Sequence, residues 1–96
     1  MSTRRRADRT RELERIPNVG PAIAADLLSL DIRVPADLVG CDPEHLYREL
    51  CRRDGVAHDI CVLDVFRAAV DYAEGKPARP WWEYSRERKA AAGKTK

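Results

Sequence analysis

The stretch Ile16-Pro17-Asn18-Val19-Gly20-Pro21-Ala22-Ile23-Ala24-Ala25-Asp26-Leu27 decides how the rest of the chain is read. Pro17 ends a first helix expected from about Asp8 to Ile16, with Leu13 and Ile16 facing inward. Asn18-Val19-Gly20 leaves room only for a tight turn. Pro21 then takes the first position of a second helix, where its missing N–H is not needed. Ile23, Ala24, Leu27 and Leu28 recur at i, i+1, i+4 and i+5, so they share one apolar face. That helix is expected to stop near Leu30, with Asp31 taking a left-handed cap position less comfortably than glycine would.

Working outward, the same punctuation recurs and alternating strand patterns are missing. Ile32 is expected to pack back onto the body, and Val34-Pro35-Ala36-Asp37-Leu38-Val39-Gly40 reads as one helical turn closed by glycine. Asp42-Pro43 is a strong helix start, followed by an apolar face of Leu46, Tyr47, Leu50 and Cys51. Gly55 ends that helix. Asp59 caps the next, expected to be the longest and central one, which turns Val62, Leu63, Phe66, Ala69, Val70 and Ala73 inward before Gly75. Helix, tight turn, helix thus occurs twice, across Pro17 to Pro21 and, in degenerate form, across Asp54 to Asp59. The expectation is an all-α fold: a compact, pseudo-duplicated bundle of about five short helices. It divides into a basic disordered N-terminus at 1–7, a helical domain at 8–75, and a Pro/Trp-containing basic tail at 76–96. In that tail, Lys76 to Pro80 reads as an extended linker and the Ala-rich end as disordered.

Ninety-six residues suit a single domain. A mean hydropathy of −0.55 and the absence of a run near the roughly 20 apolar residues of a bilayer span argue against a membrane protein. The start, Met1-Ser2-Thr3-Arg4-Arg5-Arg6, has charge with no apolar stretch behind it, so a cytoplasmic location is expected. The net charge of +2 hides a segregation. Residues 1–16 carry six Arg against Asp8, Glu12 and Glu14, residues 17–75 five Arg against eleven acids, and residues 76–96 seven Lys/Arg against Glu83 and Glu87. An acidic body with two basic ends either stays soluble by this means or attracts polyanions.

The run from Ile16 to Leu27 resembles a helix-hairpin-helix motif, in which a Gly-apolar-Gly turn joins two helices. A wider pattern adds Cys61-Val62-Leu63-Asp64-Val65-Phe66-Arg67-Ala68-Ala69-Val70, Gly75, Ala78-Arg79-Pro80-Trp81-Trp82-Glu83-Tyr84 and Glu87-Arg88-Lys89. Together, over about residues 10 to 89, these are similar to a family of small bacterial helix-hairpin-helix proteins called pathogenicity-locus or mitomycin-resistance proteins. The resemblance implies a SAM-domain-like helical fold and a role connected with DNA damage. Helix-hairpin-helix motifs bind DNA without sequence preference, by offering backbone N–H groups and a positive dipole end to a phosphate.

Carried onto this chain, the nucleic-acid contacts fall at Asn18, Val19, Gly20, Ala22 and Ile23, with the amides of Val19, Gly20, Ala22 and Ile23 as donors. Asn18 stands where such motifs have their first glycine and can adopt the same left-handed conformation. Ala22, Ala24 and Ala25 supply no cation beside the turn, and Asp26 follows, so DNA binding is expected to be weak and helped by the basic ends. The alternative is an adaptor for a larger protein partner, without DNA, using the turn or the Trp-rich tail. Trp81, Trp82 and Tyr84 likewise admit two readings: stacking on bases beside Arg79 and Arg86, or folding back over an apolar groove. An indole left exposed would be an interaction hot spot.

Nothing in the chain has the spacing of a metal site, a P-loop or a nucleophile with its base, so no cofactor, no metal and no enzyme activity are expected. His58-Asp59 beside Cys61 is the one reactive-looking cluster, and a helix cap accounts for it. Cys41, Cys51 and Cys61, ten residues apart, read as small buried hydrophobes on helix faces. Thiol titration of the unfolded protein is expected to return all three groups free, and elemental analysis no stoichiometric zinc; a missing thiol or bound zinc contradicts this.

Overall fold

The computed structural model describes residues 11–94, with side chains described for 11–91. The expected N-terminal arm at 1–7 and the start of the first helix lie outside the described residues. Residues 11–14 form the described part of α1. Its last turn is tightened by i to i−3 bonds from the Arg15 and Ile16 amides to the Glu12 and Leu13 carbonyls, before the chain reverses. Leu13 and Ile16 are buried as expected. Asn18 takes the left-handed conformation, φ 75°, that the short connection requires. Helix α2 then runs Pro21–Ser29 with proline in its first turn.

Asp31 is also left-handed, φ 66°, which swings the chain so that the Ile32 amide reaches the Leu27 carbonyl at 3.0 Å. Ile32 is thereby buried. A 3-10 turn over Pro35–Leu38 plugs Leu38 into the core, and the Asp37 carboxylate accepts the Arg33 and Val34 amides. Helix α3, Pro43–Asp54, is capped by the Asp42 side chain, which accepts the Glu44 amide at 3.0 Å. It ends at Gly55, whose φ of 69° is a conformation that side chains rarely adopt. Helix α4, Cys61–Ala73, starts after Asp59, whose carboxylate accepts the Cys61 amide at 2.9 Å. Among the described residues the fold is all-α, with no strand.

Helix α4 is the centre of the packing: α3, α5 and the 3-10 turn all lie against it. Leu63, Phe66, Ala69 and Val70 are buried as expected, and Val62 and Ala73 half-buried. A second face, Asp64, Val65 and Ala68, is buried as well. The reason is that the tail beyond the Lys76–Pro80 linker, with its Ala-rich end expected to be disordered, is helical and folds back on α4. Trp81–Lys94 forms a 14-residue α5, one residue longer than α4, so α4 is central without being the longest. Buried Tyr84 and Ser85 belong to α5, so this segment shares the core with the domain from which the sequence separates it.

Three polar bridges hold α5 on α4. Asp64, 0% exposed, takes the Arg88 guanidinium through two oxygens at 3.1 Å each and accepts the Ser85 hydroxyl. The Tyr84 hydroxyl donates to Asp71 at 2.7 Å, about two helical turns along α4 from Asp64. A charge-rich segment looks disordered in sequence because charge opposes burial; here its charges find fixed partners on α4. Arg88→Ala leaves the Asp64 carboxylate buried and uncompensated, a loss expected at about 3–5 kcal/mol. For a domain this small the melting temperature should then fall by more than ~10 °C, read by circular dichroism; an unchanged melt contradicts the anchoring role of the pair.

Candidate nucleic-acid interface

The connection between α1 and α2 presents a bare helix start. Gly20 is extended, φ −95° and ψ −173°, and its carbonyl accepts the Ala24 amide at 2.9 Å, the first helical bond of α2. That leaves the Ala22 and Ile23 amides without intrahelical partners. No side chain caps α2, and no acid stands in its first turn. By contrast α3 and α4 are served by Asp42 and Asp59. A methyl group built on Gly20 would meet nothing within 4 Å, so neither conformation nor internal packing calls for glycine there. Its effect is to keep the approach to the α2 start open from outside.

Two of the five expected contact residues are placed differently. Val19 is buried and its amide donates to the Ile16 carbonyl at 3.1 Å, because the turn tightens by the same bonds that end α1. It is withdrawn from the surface, and the donor set becomes Gly20, Ala22 and Ile23. The Asn18 side chain is engaged too: its amide donates to the Arg79 carbonyl at 2.9 Å, which ties the turn to the segment leading into α5. Gly20 and Ala22 are exposed, Ile23 half-buried. Asp26, farther along α2, has its pKa raised, chiefly by burial; His58 opposes the rise and Asp54 adds to it.

The tail residues divide between packing and exposure. Trp81 packs against the core and Tyr84 is buried, whereas Trp82 is 53% exposed and meets Trp81 edge-on with centroids 6.2 Å apart. Arg79 is not available beside the indoles. Its guanidinium pairs with Glu83 at 3.0 Å and Glu87 at 2.5 Å and lies over the Tyr84 ring, 4.5 Å from its centroid. The hydrogen bonds to Glu87 and Glu83 push its pKa further up, so it stays charged. Burial, then the bond to Asp71, lifts the Tyr84 phenol to about 12.

The cysteines are free, as expected, but half-buried rather than buried, and Cys41 lies in the link before α3 instead of on a helix face. The Asp59 carboxylate, more than burial, raises the Cys61 thiol pKa and so disfavours its thiolate. His58 turns its Nε2 to Asp54 at 2.7 Å. Among the described residues no cluster of metal-ligating side chains occurs, and no helix is long and apolar enough to cross a membrane.

A profile of the Cdd1 family, described as pathogenicity locus, matches residues 6–90. The chain belongs to the pathogenicity-locus family. A relative in Streptomyces lavendulae, named mitomycin resistance protein McrB, is 42% identical over 78 residues, covering 81% of this chain and 74% of its own length. No solved structure matches. The family match includes both the α1–α2 turn and α5 through residue 90, so the bridges between them lie inside the family's own unit.

Sequence reasoning missed the Asp64–Ser85–Arg88 cluster and the role of Arg79. The one available signal was spacing: Asp64 and Asp71 sit seven residues apart on a face opposite to the predicted core stripe, and Tyr84 and Arg88, which meet them, sit four apart on one face of α5. Because Tyr84 keeps its proton more tightly folded than unfolded, its contribution to stability is complete below about pH 10 and lost as pH rises towards about 12. Urea unfolding across that interval should show stability falling, and falling less steeply in Tyr84→Phe; parallel profiles contradict the bond to Asp71.

Proposed function

We propose that this protein is a nucleic-acid-binding accessory module without sequence preference, and that its α1–α2 connection works as a helix-hairpin-helix motif. The observation that carries the reading is the uncapped start of α2 behind an open, exposed Gly20. Amides and a positive helix end directed at solvent suit a backbone phosphate. The second helix-turn-helix unit, across 54–59, is its degenerate partner in a SAM-domain-like pseudo-duplication: there Asp59 already fills the helix start with the protein's own carboxylate. The module works by binding rather than catalysis. Its reactive-looking groups support this, since the His58 imidazole is turned to Asp54 and the Cys61 thiol is held protonated. The relative's name, mitomycin resistance, points to DNA damage as the setting, and a cytoplasmic site of action follows from the reading.

One observation favours a second reading. The exposed indole of Trp82, on a protein whose body is acidic, is what an adaptor for a larger protein would display. A salt series separates the two, because phosphate binding weakens linearly in log affinity against log salt. Ala22→Glu places a carboxylate where the phosphate would sit, and a loss of about tenfold or more in DNA affinity is expected at each salt concentration. Gly20→Glu should act in the same direction, after a melt has shown it folded. If both folded variants bind duplex and single-stranded DNA like the parent, the turn is only a joint and has no part in binding; if the parent itself binds neither, the adaptor reading replaces this one.

A further inference from the structure

Helix α5 sorts its charges into two stripes. Glu83 and Glu87 lie on one side, and both are neutralised by Arg79. Of the cations within the helix, Arg88 is spent inward on Asp64. Arg86 and Lys89 remain exposed and make no ion pair among the described residues. They follow Trp82 at i+4 and i+7, so indole, guanidinium and ammonium share one solvent-facing stripe. Trp82 is half open to solvent and braced by Trp81 at an interplanar angle of 82°.

The stripe's chemistry selects its partner. An exposed aromatic face beside unpaired cations matches an unstacked base followed by phosphates, the combination that single-strand-binding surfaces use. A duplex keeps its bases stacked and offers the indole little. The Asn18 bond to the Arg79 carbonyl also ties the entry to α5 to the α1–α2 turn beside the open helix start. We infer that the Trp82–Arg86–Lys89 face of α5 binds single-stranded nucleic acid, Trp82 stacking on a base and the two cations flanking phosphates. This rests on the nucleic-acid reading above and adds to it a strand preference and a second contact surface.

The test uses the full chain with an oligothymidylate and with a duplex of equal length. Oligothymidylate should quench tryptophan emission, and Trp81→Phe should retain that quenching. Trp82→Ala should lose roughly tenfold in single-strand affinity, the order expected for one stacked base, with a smaller effect on duplex. Arg86→Gln with Lys89→Gln should reduce the slope of log affinity against log salt by about 1.4, at about 0.7 per phosphate contact on a single strand. Each variant is first shown to melt like the parent. If Ala22→Glu abolishes binding while the α5 variants bind like the parent, the inference is overturned and the turn reading stands. If the α5 variants lose affinity and Ala22→Glu does not, the inference stands without the turn. Binding without quenching overturns it, and no binding of either oligonucleotide overturns both.

Discussion

The fully buried Asp64 carboxylate, gripped by Arg88 and capped by Ser85, is the constraint on which the rest of the structure depends. A carboxylate in the interior is tolerated only with strong, well-aligned donors, and a guanidinium fork supplies two at once. All those donors come from one helix, so satisfying Asp64 means laying α5 along α4. With α5 in place, α4 is covered on a second side, and Val65 and Ala68 become interior residues. The stability of the small core is thereby coupled to a segment rich in charge.

That coupling reaches the proposed functional surface. Docking α5 by Arg88 and Tyr84 leaves Arg79 to neutralise Glu83 and Glu87, and carries the Arg79 carbonyl to the Asn18 side chain. The left-handed Asn18 is thus held from two sides, by the turn's own geometry and by the tail. The same arrangement decides which cations are free. Internal pairing removes Arg79 and Arg88 from any surface role and leaves Arg86 and Lys89 beside Trp82. A count of basic residues along the tail would treat all four alike.

The two helix-turn-helix units show how one backbone pattern supports different chemistry. Both connections place a residue with positive φ between helices, Asn18 in the first and Gly55 in the second. In the second unit Asp59 satisfies the following helix start, which closes it to an outside anion. In the first, Gly20 and Pro21 contribute no side-chain oxygen, and the Ala22 and Ile23 amides have neither a side-chain cap nor an intrahelical partner. The pathogenicity-locus family match covers both units and α5 as far as residue 90.

By itself the sequence determined the all-α class, the order of helices as far as α4, the turns around Asn18, Asp31 and Gly55, and the helix cap at Asp42. Each of these is set by local chemistry: proline at a helix start, a short polar cap, a residue that accepts positive φ. It also determined the first face of α4, because apolar spacing reports which side is buried against like residues. What only the tertiary structure decided was the fate of the tail, the burial of Val19, and the partners of Arg79, Asp64 and Arg88. Most of these depend on residues far apart in the chain, such as Asn18 with Arg79 and Asp64 with Arg88, and the local pairing of Arg79 with Glu83 and Glu87 needs the tail to be a helix. A charged residue looks the same in sequence whether it faces water or an opposite charge in the core, and only the packing of α5 on α4 tells the two apart.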